Sequence, residues 1–529
     1  MCSSHSLTRR RFFGYSAAGI ASAYLLGCQQ RSGEPSPVAL PPAPALGPAD
    51  WDALADAALR RLRGAGASYA DIRVLDTTVQ HIRGRDGRVA GVGDSRSVGF
   101  GVRALHNGAW GFAASAMLSE AEARRVADLA LEIARGSSSL IHTAVRLAPE
   151  PPHRDTVVTP RSVDPFTVGL EQKTALLLET MERMQRQEGV ARTSASLWTQ
   201  RDVKLFASTD GARVRFDLLA LHGDCGATAI HDGRFASREF NTPYRRCGYE
   251  LIQQADLPAQ AARVAAEAVE KVRAPAADAG EYDLVLDAEH LSLTIHESCG
   301  HPTELDRALG WEANYAGTSF LTPDQLGKFR YGSPQVTLVA DNTEPGALAS
   351  TGYDDDGVAG QRWPIIEQGV FVGYSDSRET APLIGAARAR GSSRADSWAS
   401  VPIVRIANIG LQAGDGKLDD LIADVKNGIY IEGHGSFSID QRRYNFQFGG
   451  DAFWRIENGR RTHMLRDVIY TGITPEFWSR CDAVADASHR RPYGFITCGK
   501  GQPGQSGWMT HAASPARFRG IKVIRGGVA

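Results

Sequence analysis

The sequence has no excess of charge of either sign. Its 529 residues include 59 Lys and Arg against 60 Asp and Glu, so the formal net charge is −1. Proteins that bind nucleic acids usually carry a marked basic surface, and this balance therefore argues against a nucleic-acid partner. Hydrophobic residues make up 43% and charged residues 22% of the chain, which is typical of a globular protein and unlike a disordered or collagen-like one.

A repeated sequence period is also absent, which argues against a solenoid or a propeller. One hydrophobic core rarely serves 529 residues, so the length predicts two domains of a few hundred residues each. Glycine is frequent, with 55 residues, and many glycines separate short apolar runs where turns are expected. The chain is therefore expected to be rich in strands.

The N-terminal region lacks a hydrophobic run long enough to cross a membrane. Its apolar stretch, residues 14–26, is shorter than the ~20 residues that a spanning helix needs. It follows residues 8–13, TRRRFF, and paired arginines before such a stretch resemble a twin-arginine export signal. We therefore interpret residues 1–28 as a signal segment and expect the protein outside the cytoplasm.

The end of this segment predicts a lipid anchor. Residues 25–28, LLGC, resemble the lipobox of bacterial lipoproteins, in which the cysteine becomes the lipidated first residue of the mature protein. Residues 29–48 are rich in Pro, Ser and Ala and predict an extended tether. We expect a lipoprotein of the cell envelope or periplasm that contacts the membrane only through Cys28. The alternative is a soluble protein released by cleavage after residues 21–23.

Seven cysteines are present, and Cys2 and Cys28 belong to the N-terminal segment. The other five are Cys225, Cys247, Cys299, Cys481 and Cys498. In an oxidising compartment four of these can pair, in a pattern that sequence does not give, and one stays free or binds a metal. Cys498 is the candidate for the unpaired cysteine.

Local patterns predict an α+β fold. Residues 99–105 and 109–113 alternate like two strands joined by the tight turn Asn107-Gly108. Residues 119–134 begin with Ser-Glu-Ala-Glu and continue with helical spacing of apolar residues. Residues 257–272 form a second strong helical pattern.

The Pro- and Ala-containing residues 274–280 interrupt this pattern and predict a domain boundary. We therefore expect an N-terminal α+β domain over residues 49–273. A strand-rich C-terminal domain over residues 281–529 would then carry the metal site described next.

Residues 296–301, HESCGH, carry the strongest chemical signal. Imidazole is a common zinc ligand, and a neighbouring Glu is placed to take a proton from the water that attacks a peptide carbonyl. His296 and His301 are five residues apart, about 140° around a regular helix, so they can share a metal only if the helix ends or widens between them. Gly300 and Pro302 favour such an end.

A catalytic zinc usually has three protein ligands, so a third must come from elsewhere. The downstream candidates are Glu304, Asp306, residues 354–356, His434, His463, Cys481, His489, Cys498 and His511. Cys498 lies where an apolar strand gives way to glycines, which allow close approach of the backbone to a site. A thiol beside a metal is also easily deprotonated.

Several segments together resemble the TldD/PmbA metallopeptidases. They are residues 296–306 (HESCGHPTELD), 312–319 (EANYAGTS), 353–357 (YDDDG), 456–459 (IENG) and 497–502 (TCGKGQ), with residues 99–113 resembling the N-terminal domain of that family. The resemblance covers roughly residues 50–527. It implies Zn²⁺ ligands at His296, His301 and Cys498, with Glu297 as the catalytic residue. PmbA-type partners lack these residues, so the resemblance implies the catalytic type of subunit.

The resemblance also implies a dimer around a narrow channel, either a homodimer or a heterodimer with a PmbA-like chain. An unfolded peptide substrate would bind in the channel as an added strand. An export signal departs from the cytoplasmic location of family members, so their intracellular substrates are not expected to apply.

Other residues near the motifs have simpler interpretations. Glu304 and Asp306 are either partners that orient the ligating histidines or solvated acids beyond a helix end. Residues 354–356 before Gly357 favour an Asp-Gly turn over a cation site. Lys500 is more simply a surface charge than a group of the site, and Cys299 is expected to be a buried thiol.

The leading hypothesis is a zinc-dependent peptidase that cleaves unfolded or small peptides, with Glu297 activating the attacking water. The alternatives are an envelope factor that binds or matures peptides with little proteolysis, and an amidase acting on a peptide-like natural product.

Overall fold

The computed structural model describes residues 48–526. The predicted signal segment with Cys28, and the predicted tether up to residue 47, lie outside the described residues.

The elements before residue 275 are α1 (Pro48–Gly64), β1 (Tyr69–Arg85), β2 (Arg88–His106), β3 (Ala109–Ser115), α2 (Glu120–Ser137), β4 (Arg154–Val158), α3 (Leu170–Gln185), β5 (Val190–Ser208), β6 (Arg213–His231), β7 (Arg234–Asn241), α4 (Glu250–Ala255) and α5 (Leu257–Arg273).

The later elements are β8 (Gly280–Leu286), α6 (Ala288–Ile295), α7 (Leu305–Ala308), β9 (Leu338–Asp341), β10 (Arg362–Glu367), β11 (Val370–Phe371), β12 (Ser393–Arg394), β13 (Ile403–Val404), β14 (Ile409–Leu411), α8 (Leu418–Ala423), β15 (Asn427–Glu432), β16 (Phe437–Ile439), β17 (Asn445–Phe448), β18 (Ala452–Glu457), β19 (Arg460–Leu465), β20 (Val468–Ile473), α9 (Thr474–Ser479), β21 (Cys481–Val484), β22 (Arg491–Lys500), β23 (Gln505–Ala513) and β24 (Ala516–Arg525). Short 3₁₀ turns lie at His301–Thr303, Pro323–Gln325, Ala381–Ile384 and Ala487–His489.

The predicted α+β fold is confirmed. Strands β1 to β7 form one seven-stranded sheet in the order β3-β2-β1-β5-β6-β4, with β7 also paired to β6. The predicted Asn107-Gly108 turn joins β2 to β3, and both residues have positive φ, 47° and 79°, as a tight hairpin turn requires. Ser119 caps α2 by accepting a hydrogen bond from the Glu122 N–H at 3.2 Å.

Strand β1 is buried on both faces where it begins. Ala70, Ile72 and Val74 pack into an apolar cluster with α1 and α2. Because side chains alternate along a strand, Asp71 and Arg73 point to the opposite face, where they are nevertheless buried. That face meets the C-terminal half of the chain.

Ion pairs link the two halves there. Arg103 on β2 donates to Asp71 at 2.5 Å and to Asp356 at 2.8 Å, and all three side chains are buried. Lys204 on β5 pairs with Asp355 at 2.7 Å. The predicted turn at residues 354–356 is present, since the Gly357 N–H donates to the Asp354 carbonyl, but its carboxylates are buried.

The C-terminal half contains two larger sheets around one core. A nine-stranded sheet runs in the order β16-β17-β20-β24-β8-β15-β18-β19, with β21 paired to β24, and a six-stranded sheet runs β11-β10-β9-β14-β23-β22. Helix α6 contacts β15 of the first sheet and β14, β22 and β23 of the second. The division into domains at residues 49–273 and 281–529 stays a prediction.

Within the described residues the five cysteines are free thiols, including the buried Cys225, Cys299 and Cys481. The expectation of a buried thiol at Cys299 is confirmed. Among the helices that the structure describes, none has the length and apolar character needed to cross a membrane.

Replacing Arg103 is expected to destabilise the protein strongly. Arg103→Met leaves the buried carboxylates of Asp71 and Asp356 without their shared cation, and breaking a buried pair in this way costs about 3–5 kcal/mol. The matched control is Arg96→Met. It breaks the pair between Arg96 on β2 and Asp76 on β1, in which the arginine side chain is 42% exposed. This control variant should lose about 1 kcal/mol or less of the free energy of unfolding. Equal midpoints of the two variants in urea unfolding would contradict this difference.

Candidate metal centre

The helix that carries the first histidine, α6, is held in a fixed position. Its N terminus is capped by Asp287, which accepts a hydrogen bond from the His290 N–H at 2.7 Å. Leu291 and Ile295 are fully buried in the core between the two sheets. His290 is also fully buried, and its Nδ1 lies 2.8 Å from the carbonyl oxygen of Gly433. These contacts tie the start of the helix and its buried side chains to the surrounding structure.

The helix widens where the two histidines need it to. The α-helix ends at Ile295, and His296–Gly300 form a π-turn in which the His301 N–H donates to the His296 carbonyl. Five residues therefore complete one turn, so both imidazoles lie on one side, with ring centroids 4.9 Å apart. A Cβ atom at Gly300 would lie 3.0 Å from the Ile406 side chain, so a larger residue there would require Ile406 to shift by a few tenths of an ångström. The prediction that the helix ends or widens is confirmed.

A β-bulge brings the distant cysteine to the same place. Strand β22 pairs with β23 so that Phe495 lies opposite Met509 and Cys498 lies opposite Gly507, with a shift of register between them. The extra residue puts Phe495 and Cys498 on one face of the hairpin. Phe495 stacks on His296 with ring centroids 4.5 Å apart, and the same face therefore presents the Cys498 thiol to the histidines.

The three side chains form one buried cluster. Ligand atoms of His296, His301 and Cys498 all lie within 4.8 Å of one another. The Cys498 Sγ is 3.5 Å from the His301 Nε2. A tetrahedral zinc ion with its usual Zn–S and Zn–N bond lengths would separate these two atoms by about 3.6 Å. The donor set and its spacing are therefore compatible with a bound metal ion.

A third histidine determines which ring nitrogen of His296 carries the proton. His511 Nδ1 lies 3.0 Å from the Ile409 carbonyl oxygen and 3.4 Å from the Ile409 N–H, and the shorter of these contacts assigns the proton to this nitrogen. His511 Nε2 is then an acceptor, and it lies 3.0 Å from the His296 Nδ1. His296 Nδ1–H must therefore donate, which leaves the lone pair of His296 Nε2 for a metal. Burial lowers the pKa of His511 to about 3 and that of His296 well below its usual value, so both rings are neutral.

A carboxylate determines which ring nitrogen of His301 carries the proton. Glu304 Oε2 is 2.8 Å from the His301 Nδ1, so this nitrogen donates its proton and Nε2 faces Cys498 with a free lone pair. The other oxygen of Glu304 lies 3.3 Å from the Lys500 Nζ, which also donates to Asp306 at 2.5 Å.

Both acids, Glu304 and Asp306, are buried, so the interpretation of them as solvated carboxylates is wrong. The interpretation of Lys500 as a surface charge is also wrong, because its side chain is fully buried.

Glu297 lies beside the cluster with its own cationic partner. Its side chain is buried, and Oε2 accepts a hydrogen bond from Arg443 Nη1. Burial raises the pKa of Glu297, and the positive charge of Arg443 opposes that rise. Arg443 lies in the turn between β16 and β17 with a φ of 64°, a left-handed conformation that is rare for arginine.

The thiol of Cys498 has a fixed backbone support. Arg405 donates to the Cys498 carbonyl at 2.5 Å and to the Gln505 carbonyl at 3.1 Å. A side chain at Gly507 would come within 2.4 Å of this guanidinium, so glycine is needed opposite the cysteine. Burial raises the pKa of Cys498 to about 11, so the thiol keeps its proton until a metal cation displaces it.

The remaining candidates for a third ligand lie elsewhere. Residues 354–356 face the N-terminal sheet, as described above. His463 is exposed and contacts Thr462. His434 stacks on Phe495, one ring removed from His296.

Two groups of the centre were missed by sequence reasoning. His511 appeared only as a possible ligand, although the glycine-rich turn at residues 499–504 between two apolar runs is a hairpin signal that would have placed it near Cys498. Arg443 has no local signal, because it reaches Glu297 from a turn 146 residues away.

Three family models match the chain, all from the PmbA/TldA metallopeptidases. Domain 1 matches residues 70–134, the central domain matches residues 163–274 and the C-terminal domain matches residues 279–515. The third match contains the whole histidine and cysteine cluster.

Proteins of similar sequence have names of the same kind. A metalloprotease TldD homolog of Haemophilus influenzae is 30% identical over 427 residues, which are 76% of this chain and 82% of that protein. A metalloprotease of Methanocaldococcus jannaschii is 29% identical over 416 residues, which are 79% of this chain and 89% of that protein.

Solved structures share the fold. A Thermotoga maritima protein described as a candidate modulator of a DNA gyrase matches with a TM-score of 0.73 at 16% identity, covering 90% of this chain and 100% of its own. TldE from Thermococcus kodakarensis matches with a TM-score of 0.65 at 14% identity, covering 89% of this chain and 99% of its own.

Replacing Glu304 is expected to weaken metal binding without removing a ligand. Glu304→Gln keeps the size of the side chain but loses the charged acceptor that orients His301, and such changes lower metal affinity about 10- to 100-fold. The affinity is measured by competition with a chromogenic chelator. Glu344→Gln is the control, since Glu344 pairs with Arg490 away from the centre. Equal affinities for the two variants would show that Glu304 does not support the site.

Proposed function

Because the chain belongs to the PmbA/TldA metallopeptidase family, we propose that it is a zinc-dependent peptidase that hydrolyses unfolded or small peptides. The observation that carries this proposal is the convergence of His296, His301 and Cys498 to within 4.8 Å, beside the buried Glu297. Two neutral imidazoles and a cysteine thiolate, which forms when the metal displaces the thiol proton, are donors that zinc prefers. Three protein ligands also leave one tetrahedral position open, as in catalytic zinc sites.

The proposed ligands are the Nε2 atoms of His296 and His301 and the Sγ of Cys498. When bound, zinc supplies Lewis acidity toward a peptide carbonyl and lowers the pKa of water to about 7. His511 and Glu304 hold the two imidazole rings in the tautomer that binding requires.

Glu297 is the proposed general base. Arg443 donates to its Oε2, which leaves Oε1 to accept the proton of the attacking water. The same carboxyl group then returns this proton to the leaving amine. Arg443 favours the ionised form of Glu297, which a buried carboxyl group would otherwise resist.

Strand β22 is the proposed binding edge for the peptide. It lies at the end of the six-stranded sheet and pairs with β23 on one side only among the described strands. A peptide that adds to its free edge would bind mainly through backbone hydrogen bonds and would pass next to Cys498. This mode supports low selectivity for side chains. The dimer expected from the resemblance stays a prediction.

Glu297→Gln is expected to abolish cleavage while leaving the metal in place. Loss of a positioned base costs about 100- to 10,000-fold in rate, whereas the three proposed ligands are untouched. Cleavage of casein-derived peptides and metal analysis, with about one zinc per chain expected, are measured together. Glu281→Gln is the control, since Glu281 is exposed at the start of β8.

Two outcomes would contradict the proposal. Cleavage by the Glu297→Gln variant at the rate of the unchanged protein would exclude Glu297 as the base. If the unchanged, metal-loaded protein binds peptides and does not cleave them, the alternative of an envelope binding or maturation factor is supported instead.

We also propose that the protein is exported and anchored in the cell envelope through a lipid on Cys28. The support is the arginine pair before the apolar stretch and the cysteine at its end. A lipid anchor would hold the peptidase at the membrane surface through a tether and without a spanning segment.

Cys28→Ser is expected to move the protein from the membrane fraction to the soluble envelope fraction, because the acceptor of the lipid is lost. The matched control is Cys2→Ser, which changes the other cysteine of the N-terminal segment. Fractionation followed by immunoblotting gives the result. A Cys28→Ser protein that stays in the membrane fraction would refute the anchor.

A further inference from the structure

Arg405 is a buried cation of the C-terminal half without a carboxylate partner. It follows directly after β13 and is only 1% exposed. Its backbone N–H donates to the Ser392 carbonyl at 2.8 Å, and its guanidinium donates to the carbonyls of Cys498 and Gln505. Among the residues that the structure describes, it forms no ion pair with a carboxylate. A buried charge normally has a partner of opposite sign, so this arginine needs an explanation.

The other cations beside the metal centre each have a carboxylate partner. These pairs are Lys500 with Glu304 and Asp306, Arg443 with Glu297, and Arg307 with Glu312. The acids of the centre therefore hold other cations, and Arg405 differs from its neighbours in contacting only backbone carbonyls.

The guanidinium of Arg405 lies on the face of the hairpin that carries the Cys498 thiol. Gly507 is directly opposite Cys498 in the pairing of β22 with β23. Side chains of directly opposite residues lie on the same face, with Cβ atoms about 5 Å apart. A Cβ atom at Gly507 would lie 2.4 Å from the central carbon of the Arg405 guanidinium. The guanidinium therefore occupies the space of the missing side chain, next to the thiol.

No carboxylate lies on this face among the paired residues of the hairpin. Side chains alternate along the strands, so the face carries the side chains of Phe495, Cys498, Lys500, Gln505, Met509 and His511. Of these groups only the Cys498 thiol becomes an anion, because a metal that binds there displaces its proton. Burial raises the pKa of this thiol, and the positive charge of Arg405 opposes that rise.

We propose that Arg405 is a positioning residue of the metal centre, whose guanidinium compensates the negative charge of the Cys498 thiolate. The proposal rests on the proposed function in one respect, because it requires Cys498 to be a metal ligand. Hydrogen bonds of 2.5 and 3.1 Å to carbonyls on the two strands of the hairpin hold the guanidinium where the thiolate forms. A thiolate beside a cation transfers less charge to a bound metal, which leaves the metal a stronger Lewis acid.

The test uses the absorption of the full protein with cobalt in place of zinc. A thiolate ligand gives Co²⁺ a charge-transfer band in the near ultraviolet, and Cys498→Ser, which should lack this band, identifies its origin. Arg405→Gln keeps a hydrogen-bond donor and removes the charge. Its band should move to longer wavelength, because an uncompensated thiolate gives up an electron more easily. Arg405→Lys keeps the charge and should leave the band close to its position in the unchanged protein.

The zinc affinity of the same variants provides a second measurement. Loss of a group that supports a metal ligand lowers metal affinity about 10- to 100-fold, so Arg405→Gln should bind zinc about tenfold or more weakly. Arg405→Lys should recover most of this loss. A purely structural role would affect both variants alike, because neither side chain can bridge the two carbonyls as a guanidinium does, and it would leave the band position unchanged.

A second pair of variants keeps the arginine and moves it. The Cβ atom of Gly507→Ala would force the flexible end of Arg405 away from the thiol, so its cobalt band should shift in the same direction as that of Arg405→Gln. Gly499→Ala is the matched control, since Gly499 directly follows Cys498 and a Cβ atom there meets nothing within 4 Å. This pair decides the question if the Arg405 variants do not fold.

Two results would overturn the role of Arg405 alone. The first is a cobalt band that is present in the unchanged protein and keeps its position in Arg405→Gln and Gly507→Ala. The second is equal zinc affinity of Arg405→Gln and Arg405→Lys. A band that is absent from the unchanged protein has a different consequence, because Cys498 would then not be a ligand. The proposed ligand set would fail in that case, and the role of Arg405 with it.

Discussion

The burial of helix α6 between two sheets constrains everything else in the metal centre. The helix contacts strands of both sheets, and its capping residue Asp287 fixes where it begins. With its start fixed and its sides covered, the chain brings two histidines five residues apart onto one side by widening into a π-turn. The hairpin of β22 and β23 then meets this turn face to face, so the register of one strand pair decides whether a thiol reaches the histidines.

Around that helix each of the two histidines has a partner that decides which of its nitrogens carries the proton. His511 fixes the tautomer of His296, and Glu304 fixes the tautomer of His301. Lys500 forms an ion pair with Glu304. Such a series of hydrogen-bonded side chains is expected in a buried site, because an unpaired polar group is costly in a low dielectric.

Local signals predicted much of the fold. The Asn107-Gly108 turn, the capped helix after Ser119 and the helix over Leu257–Arg273 depend on neighbouring residues, and the structure has each of them. The interpretations that failed concern burial. Lys500 was interpreted as a simple surface charge, whereas tertiary packing encloses its side chain completely.

The sequence by itself determined the donor types: the imidazoles of His296 and His301 and the carboxylate of Glu297 between them. Only the tertiary structure decided that Cys498 points toward them, since a single bulged residue in β22 turns its side chain to that face. It also decided the places of His511 and Arg443, which approach from strands and turns far along the chain. Backbone preferences are encoded by adjacent residues, whereas contacts across a sheet depend on register and packing, which arise only when the whole chain has folded.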